Sequence, residues 1–203
     1  MQRRAQLCRK RVPLAKRIRK YFGTVGLTLL HGLEGVDLSQ GVLKSVQSFD
    51  RHCLRDMLCM RKPDDVGYIA FRRKPHAVLR RILSKMGVKE LAAQLIAKHH
   101  GWAGHVARLD ERHLAAAWAG EFTQEQWRLQ QAVGEACDPC NKTKWRHSRR
   151  GPVSRWDGLL FRIIGGNWWA LAQDRKWWQE SRQPFVRDAC DAFLGAGHRV
   201  FGV

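Results

Sequence analysis

Two adjacent carboxylates, Asp64 and Asp65, are the first place to look for chemistry, because such a pair can hold the metal ions of a phosphoryl-transfer site. They follow Arg61-Lys62-Pro63, and neither an aromatic hairpin strand nor a usefully spaced third carboxylate accompanies them, so their context favours a turn or helix cap. Cys137-x2-Cys140, with His147 beyond, offers three potential zinc ligands. A fourth ligand is not evident, and the alternative is a pair of oxidisable thiols in a basic loop. Trp102, His105 and Arg108 recur at every third residue, which on a helix aligns an indole plate, an imidazole donor and a guanidinium. That face could stack on a base and neutralise a phosphate. The same spacing also fits a core tryptophan beside a solvated arginine. Arg149, Arg150 and Arg155 surround a Gly-Pro turn ahead of Trp156, where basic charge and a helix start both favour phosphate. An ordinary solvated loop is the competing reading. No Ser/His/Asp or Cys/His set has supporting context, and no glycine-rich loop reads as a phosphate cradle, so no complete catalytic centre is expected.

The elements that must carry these residues read as helices. Across 39–60, Val42, Val46, Phe49, Cys53, Met57 and Met60 recur at steps of three and four, with Leu43, Leu54 and Leu58 widening the stripe. Pro75 suits the first turn of a second helix that stops at Gly87. A third helix is expected over 88–100, and after Gly101 a separate short unit over 102–110. Thr123 and Gln126 have the spacing of a capping box, Asn167 suits the cap of a helix ending at Pro184, and Pro184 can open a last one. Trp168, Trp169, Trp177 and Trp178 on these segments read mostly as core anchors. Alternating patterns are almost absent apart from an ambiguous stretch at 67–72. The expectation is an all-α chain, broken at 137–152 by a polar, basic, proline-bracketed linker.

Composition sets the partner class. The 203 residues can bury a real core, and a 44% apolar content with nine Trp excludes a disordered chain. Lys and Arg outnumber Asp and Glu by 37 to 18, a formal charge of +19 that calls for a polyanion. The first 22 residues hold nine Lys or Arg and no acid; from them Arg17, Arg19 and Lys20 are candidate phosphate contacts. An organelle transit peptide would also be basic, but serine is missing. Six Cys without a signal peptide imply reduced thiols and an intracellular location; for a chain that handles nucleic acid the nucleus is the expected compartment. No apolar run approaches the roughly 20 residues of a membrane span, so no membrane partner is expected.

Four ordered segments, HGLEGVDLSQGVLKSVQSFDRHCLRDML, WAGHVARLDERHL, RRGPVSRWDGLL and WWALAQDRKWW, resemble the C-terminal region of non-LTR (LINE-like) retrotransposon reverse transcriptases over about 25–182. Trp102, Gly104, His105, Arg108 and Asp110 match that family's WxGHVxRMD motif. Arg150, Gly151, Pro152, Arg155 and Trp156 match GRPxxRW, with Arg-Gly-Pro offset by one, and Leu171, Ala172, Asp174, Arg175 and Trp178 match its last motif. Gly32-Leu33-Glu34-Gly35 lacks the family's Trp, a mark of a divergent or decayed copy. The resemblance implies a basic N-terminal helix and turn over 1–38, a thumb-like helical region over 39–136, the linker at 137–153 and a smaller helical part over 154–203. It implies a chain that grips template RNA or target DNA, with the upstream polymerase domains as a further partner. The palm's Tyr/Phe-x-Asp-Asp motif is absent, so no polymerase activity is expected from this chain alone. No cofactor is expected unless Cys137, Cys140 and His147 hold zinc. Arg175 joins the candidate nucleic-acid contacts. The competing reading is a helical protein-interaction module or a non-functional remnant of a decayed element.

Overall fold

The computed structural model describes residues 11–58, 67–109, 113 and 156–194. Among these, 78% are helical and none lies in a strand, so the fold is all-α. In chain order the helices are α1 (Leu14–Tyr21), α2 (Leu27–Leu30), α3 (Gln40–Leu58), α4 (Tyr68–Lys85), α5 (Leu91–Ala107), α6 (Gly158–Ile163), α7 (Trp168–Leu171) and α8 (Arg175–Leu194). A π-helical turn, Phe22–Gly26, joins α1 to α2, and a 3-10 turn, Leu33–Gly35, follows. No described helix is long and apolar enough to cross a membrane.

The described residues form two compact units. The first contains 11–31, 42–58 and 67–94; the second contains 32–41, 95–109 and 156–194. The division falls within the segment 39–136 that the sequence groups together, and places residues 32–41 with the later part of the chain.

In the first unit the buried apolar residues are Ile18, Tyr21 and Leu30, together with Leu43, Val46, Leu54 and Met57 of α3, Leu79 and Leu83 of α4, and Leu91. The apolar rhythm of α3 is real, but its buried stripe is turned toward Leu43, Val46 and Asp50, leaving Phe49 42% exposed. A polar residue causes the turn. Asp50 is fully buried, accepts the Tyr21 hydroxyl at 3.0 Å, and accepts the Leu91 amide at 2.9 Å. Its carboxylate thus satisfies a donor at the start of α5, a cap supplied from another helix. Burial pushes the Asp50 carboxyl up to about 6, against the opposing pull of those two hydrogen bonds. Burial first, and Asp50 second, push the Tyr21 hydroxyl well above its ordinary value, so it remains a donor.

Four helix boundaries differ from the sequence expectation. The ambiguous stretch 67–72 starts α4, which runs through Pro75. Helix α5 passes through Gly101 without a break, so 91–107 is one element; a single glycine costs only about 1 kcal/mol in a helix most of whose other residues are buried. Helix α8 runs through Pro184, where both Pro184 and Glu180, four residues earlier, face solvent and water can serve the carbonyl that the ring leaves unpaired. The helix expected from Asn167 instead divides at 172–174, because Asp174 Oδ1 accepts the amides of Lys176 (2.9 Å) and Trp177 (3.1 Å) and so starts α8.

Candidate nucleic-acid interface

Helix α1 separates its basic residues by face. Lys16, Arg19 and Lys20 are exposed, as is Arg11 just before the helix, whereas Arg17, Ile18 and Tyr21 are buried. Arg17 was grouped with Arg19 and Lys20 on sequence, but its guanidinium donates to the carbonyls of Met57 (2.6 Å) and Val12 (3.0 Å). Met57 lies in the last turn of α3, whose carbonyls lack helical donors, so a buried arginine there stabilises the helix end. Arg17 therefore belongs to the fold and leaves the candidate contact surface. Elsewhere in the first unit, Lys44, Arg80, Arg81 and Lys85 are exposed, while Arg51 is tied to Glu90 at 3.5 Å.

In the second unit, the residues singled out by the ordered motifs hold one another. Trp102 is half-buried and meets Trp156 edge to face, with ring centroids 4.8 Å apart. Trp156 also meets Trp168 at 5.6 Å and His99 at 5.9 Å. Trp168 is fully buried, its indole N–H donating to Asp157 at 3.1 Å. The spacing leaves Trp102 as either a stacking face or a core residue, and Trp156 at the end of a phosphate-binding or solvated turn; the structure places both in an aromatic cluster of edge-to-face pairs, the arrangement that favours packing. Trp178 is buried and lies across α5, its indole N–H donating to the His100 carbonyl at 3.0 Å. Gly104 permits that approach, since a Cβ there would fall 2.1 Å from the Trp178 indole nitrogen.

His105 and Arg108 are exposed at the end of α5. Arg108 donates to the Ala172 carbonyl at 2.5 Å, and Gln173 donates back to the Ala107 carbonyl at 2.6 Å. This reciprocal clasp fixes Arg108 against Ala172, three residues ahead of Arg175, which is also exposed. Partial burial first, and the neighbouring Arg175 second, hold the Arg108 guanidinium below its ordinary pKa. Arg149, Arg150 and Arg155 lie outside the described residues, as do Cys137, Cys140, His147 and the Asp64-Asp65 pair. Among the described residues no group of three or more His, Cys, Asp or Glu is placed to hold a metal ion.

The unit division exposes a charge partition that motif reading missed. Of the 37 Lys and Arg, 21 lie in 1–31 and 42–94 against only 5 of the 18 Asp and Glu. The remaining sequence, 32–41 and 95–203, holds 16 against 13. The formal excess is thus +16 in one part and +3 in the other. No protein-family model, curated protein or solved structure matches the chain.

Proposed function

We propose that this chain is the nucleic-acid-binding C-terminal region of a LINE-like reverse transcriptase, working in the nucleus, with its electrostatic grip in the basic first unit and its motif residues serving mainly as the frame of the second. The charge partition carries this reading. An excess of +16 over residues 1–31 and 42–94 is costly in self-repulsion and favours a polyanion that releases counterions on binding. Arg11, Lys16, Arg19 and Lys20 present cations on an outward surface from which Arg17 is withdrawn. In the second unit the clasped Arg108 and neighbouring Arg175 add a second, smaller cationic point. The four ordered segments give the retroelement assignment, and no polymerase chemistry is assigned to this chain.

The test is a salt titration of the whole chain on a short RNA duplex and on a DNA duplex of the same sequence. Binding should be measurable at about 50 mM salt and weaken at least tenfold by about 0.2 M, since each phosphate neutralised adds nearly one to the logarithmic salt slope. Undetectable binding at the lower salt, or affinity unchanged at the higher, would overturn the reading in favour of a helical protein-interaction module.

A further inference from the structure

His99 and His100 are consecutive residues of α5, yet both are buried, 0% and 1% exposed, because the second unit packs on two sides of the helix. Their hydrogen bonds fix which ring nitrogen carries the proton. His99 Nδ1 lies 2.6 Å from the Glu34 carbonyl, which can only accept, so Nδ1 holds the hydrogen and Nε2 is bare. His100 Nε2 lies 3.2 Å from the Ser181 hydroxyl oxygen, and that hydroxyl gives its own hydrogen to the Trp178 carbonyl at 2.9 Å. Ser181 therefore accepts from His100 Nε2, and Nδ1 is the bare nitrogen. Both bare nitrogens, His99 Nε2 and His100 Nδ1, are buried and have no hydrogen-bond partner among the described residues. A proton added at either would create an N–H with nowhere to donate, inside an apolar and aromatic setting.

The charges around the two rings do not remove that cost. Asp37 and Asp157 favour a charged His99, yet burial is the larger influence and holds it below its ordinary pKa. Glu34 also places a carboxylate oxygen, Oε2, in a buried position without a hydrogen-bond partner among the described residues. His100 is stacked on Trp178 with centroids 4.2 Å apart and touches Phe185 at 5.0 Å. Burial first, then Arg182, His99 and Arg108, lower its pKa to about 3.

We propose that His99 and His100 form an acid-sensitive latch: the second unit keeps its aromatic packing only while both rings are neutral, and protonation of the two bare nitrogens opens it. Each histidine binds its proton near pH 6.5 only in the opened state, so this stability is present above that pH and is lost as pH falls below it.

Tryptophan emission reads this unit, because no Trp precedes Trp102 and six of the nine lie among its described residues. In urea unfolding of the full chain followed by tryptophan emission, the folding constant should fall between pH 7 and pH 5 by about 25-fold for each histidine, or several hundredfold for the pair. His100→Phe, which keeps a ring against Trp178, should leave only about a 25-fold drop, and adding His99→Gln, which can still donate to the Glu34 carbonyl, should nearly abolish it. A folding constant that is the same at both pH values, or a double variant that retains the full drop, overturns the latch. Should the variants not fold, the unmodified protein decides by NMR: two of its nine histidine rings should stay neutral at pH 5 while the tertiary fold persists, and nine rings titrating near 6.5 in the folded state overturn it.

Discussion

The two units solve opposite problems. The first carries most of the net charge and no tryptophan, and its buried polar centre is a carboxylate, Asp50, joined to Tyr21 and the Leu91 amide. The second is close to charge balance, contains every tryptophan among the described residues, and buries two neutral histidines at its centre. Their pH responses should consequently have opposite signs. Asp50 titrates at a raised pKa in the folded state, so it favours folding at low pH, whereas the histidines titrate at lowered values and favour folding at higher pH. A motif residue of the second unit should therefore show itself in stability, and an exposed cation of the first in binding.

The largest effect should come from Gly104→Ala. The added Cβ would collide with the Trp178 indole, and that ring cannot withdraw without giving up its bond to the His100 carbonyl and its stack on the His100 ring. A loss of about 3 kcal/mol is expected, at the upper end for overpacking. Urea unfolding followed by tryptophan emission should register it, while the Ile18 and Leu30 methyl NMR signals of the first unit stay in place. Equal movement of both would break the comparison, because the units would then respond as one.

Next in size is Arg17→Met, which keeps the aliphatic stem and removes the guanidinium from the Met57 and Val12 carbonyls. Loss of these charge-assisted bonds at a helix end should cost about 2 kcal/mol, read on the same methyl signals. Duplex affinity should change much less than it does for Arg19→Ala. If Arg17→Met instead weakened binding as strongly as Arg19→Ala at unchanged stability, the inward role of Arg17 would be wrong.

Asp50→Asn should act mainly on pH dependence. The native carboxyl favours its protonated form, so its stabilising contribution is complete below about pH 4 and is lost as pH rises through about 6. Unfolding of the first unit should therefore become easier by about 2 kcal/mol between pH 4 and pH 7 in the parent chain. The amide keeps an acceptor for the Leu91 N–H, and the Tyr21 hydroxyl can turn to accept, so the variant should fold with that slope flattened. A slope unchanged by the substitution would assign it to other groups.

How much of this was readable in the sequence depends on whether a residue acts locally or across the fold. The rhythm of Val46, Leu54 and Met57 located α3 because periodicity is a local signal. Asp50 was missed because an acid in a helical stripe reads as solvent-facing; only the arrival of Leu91 and Tyr21 makes its burial tolerable. Gly101 and Pro184 read as stops, since their local cost is known, while the tertiary packing that outweighs it cannot be seen in a window of a dozen residues. Trp102, Arg108 and Trp156 stand out in the sequence by type and spacing, but residue type did not reveal that Trp102 packs on Trp156, Trp156 on Trp168, and that Arg108 is clasped to the Ala172 carbonyl. The charge partition was missed for a different reason: its boundary near residue 94 coincides with no motif, although a plain cut there already separates +14 from +5, which grouping 32–41 with the later part of the chain widens to +16 against +3.

The smallest stability change, and the sharpest test of the division, comes from removing exposed cations in matched pairs. Arg19→Ala with Lys20→Ala takes two charges from the outward face of α1, and Arg108→Ala with Arg175→Ala takes two from the second unit. The first pair should alter unfolding by under about 0.5 kcal/mol and lower the logarithmic salt slope of duplex binding by about 2, nearly one for each lost phosphate contact. The second pair should shift the slope less, because Arg108 already gives one N–H to the Ala172 carbonyl, and should lower stability more, because the clasp at the end of α5 is then held from one side only by Gln173. A reversal, with the second pair governing the salt slope, would move the grip onto the motif residues and leave the excess charge of the first unit to another purpose.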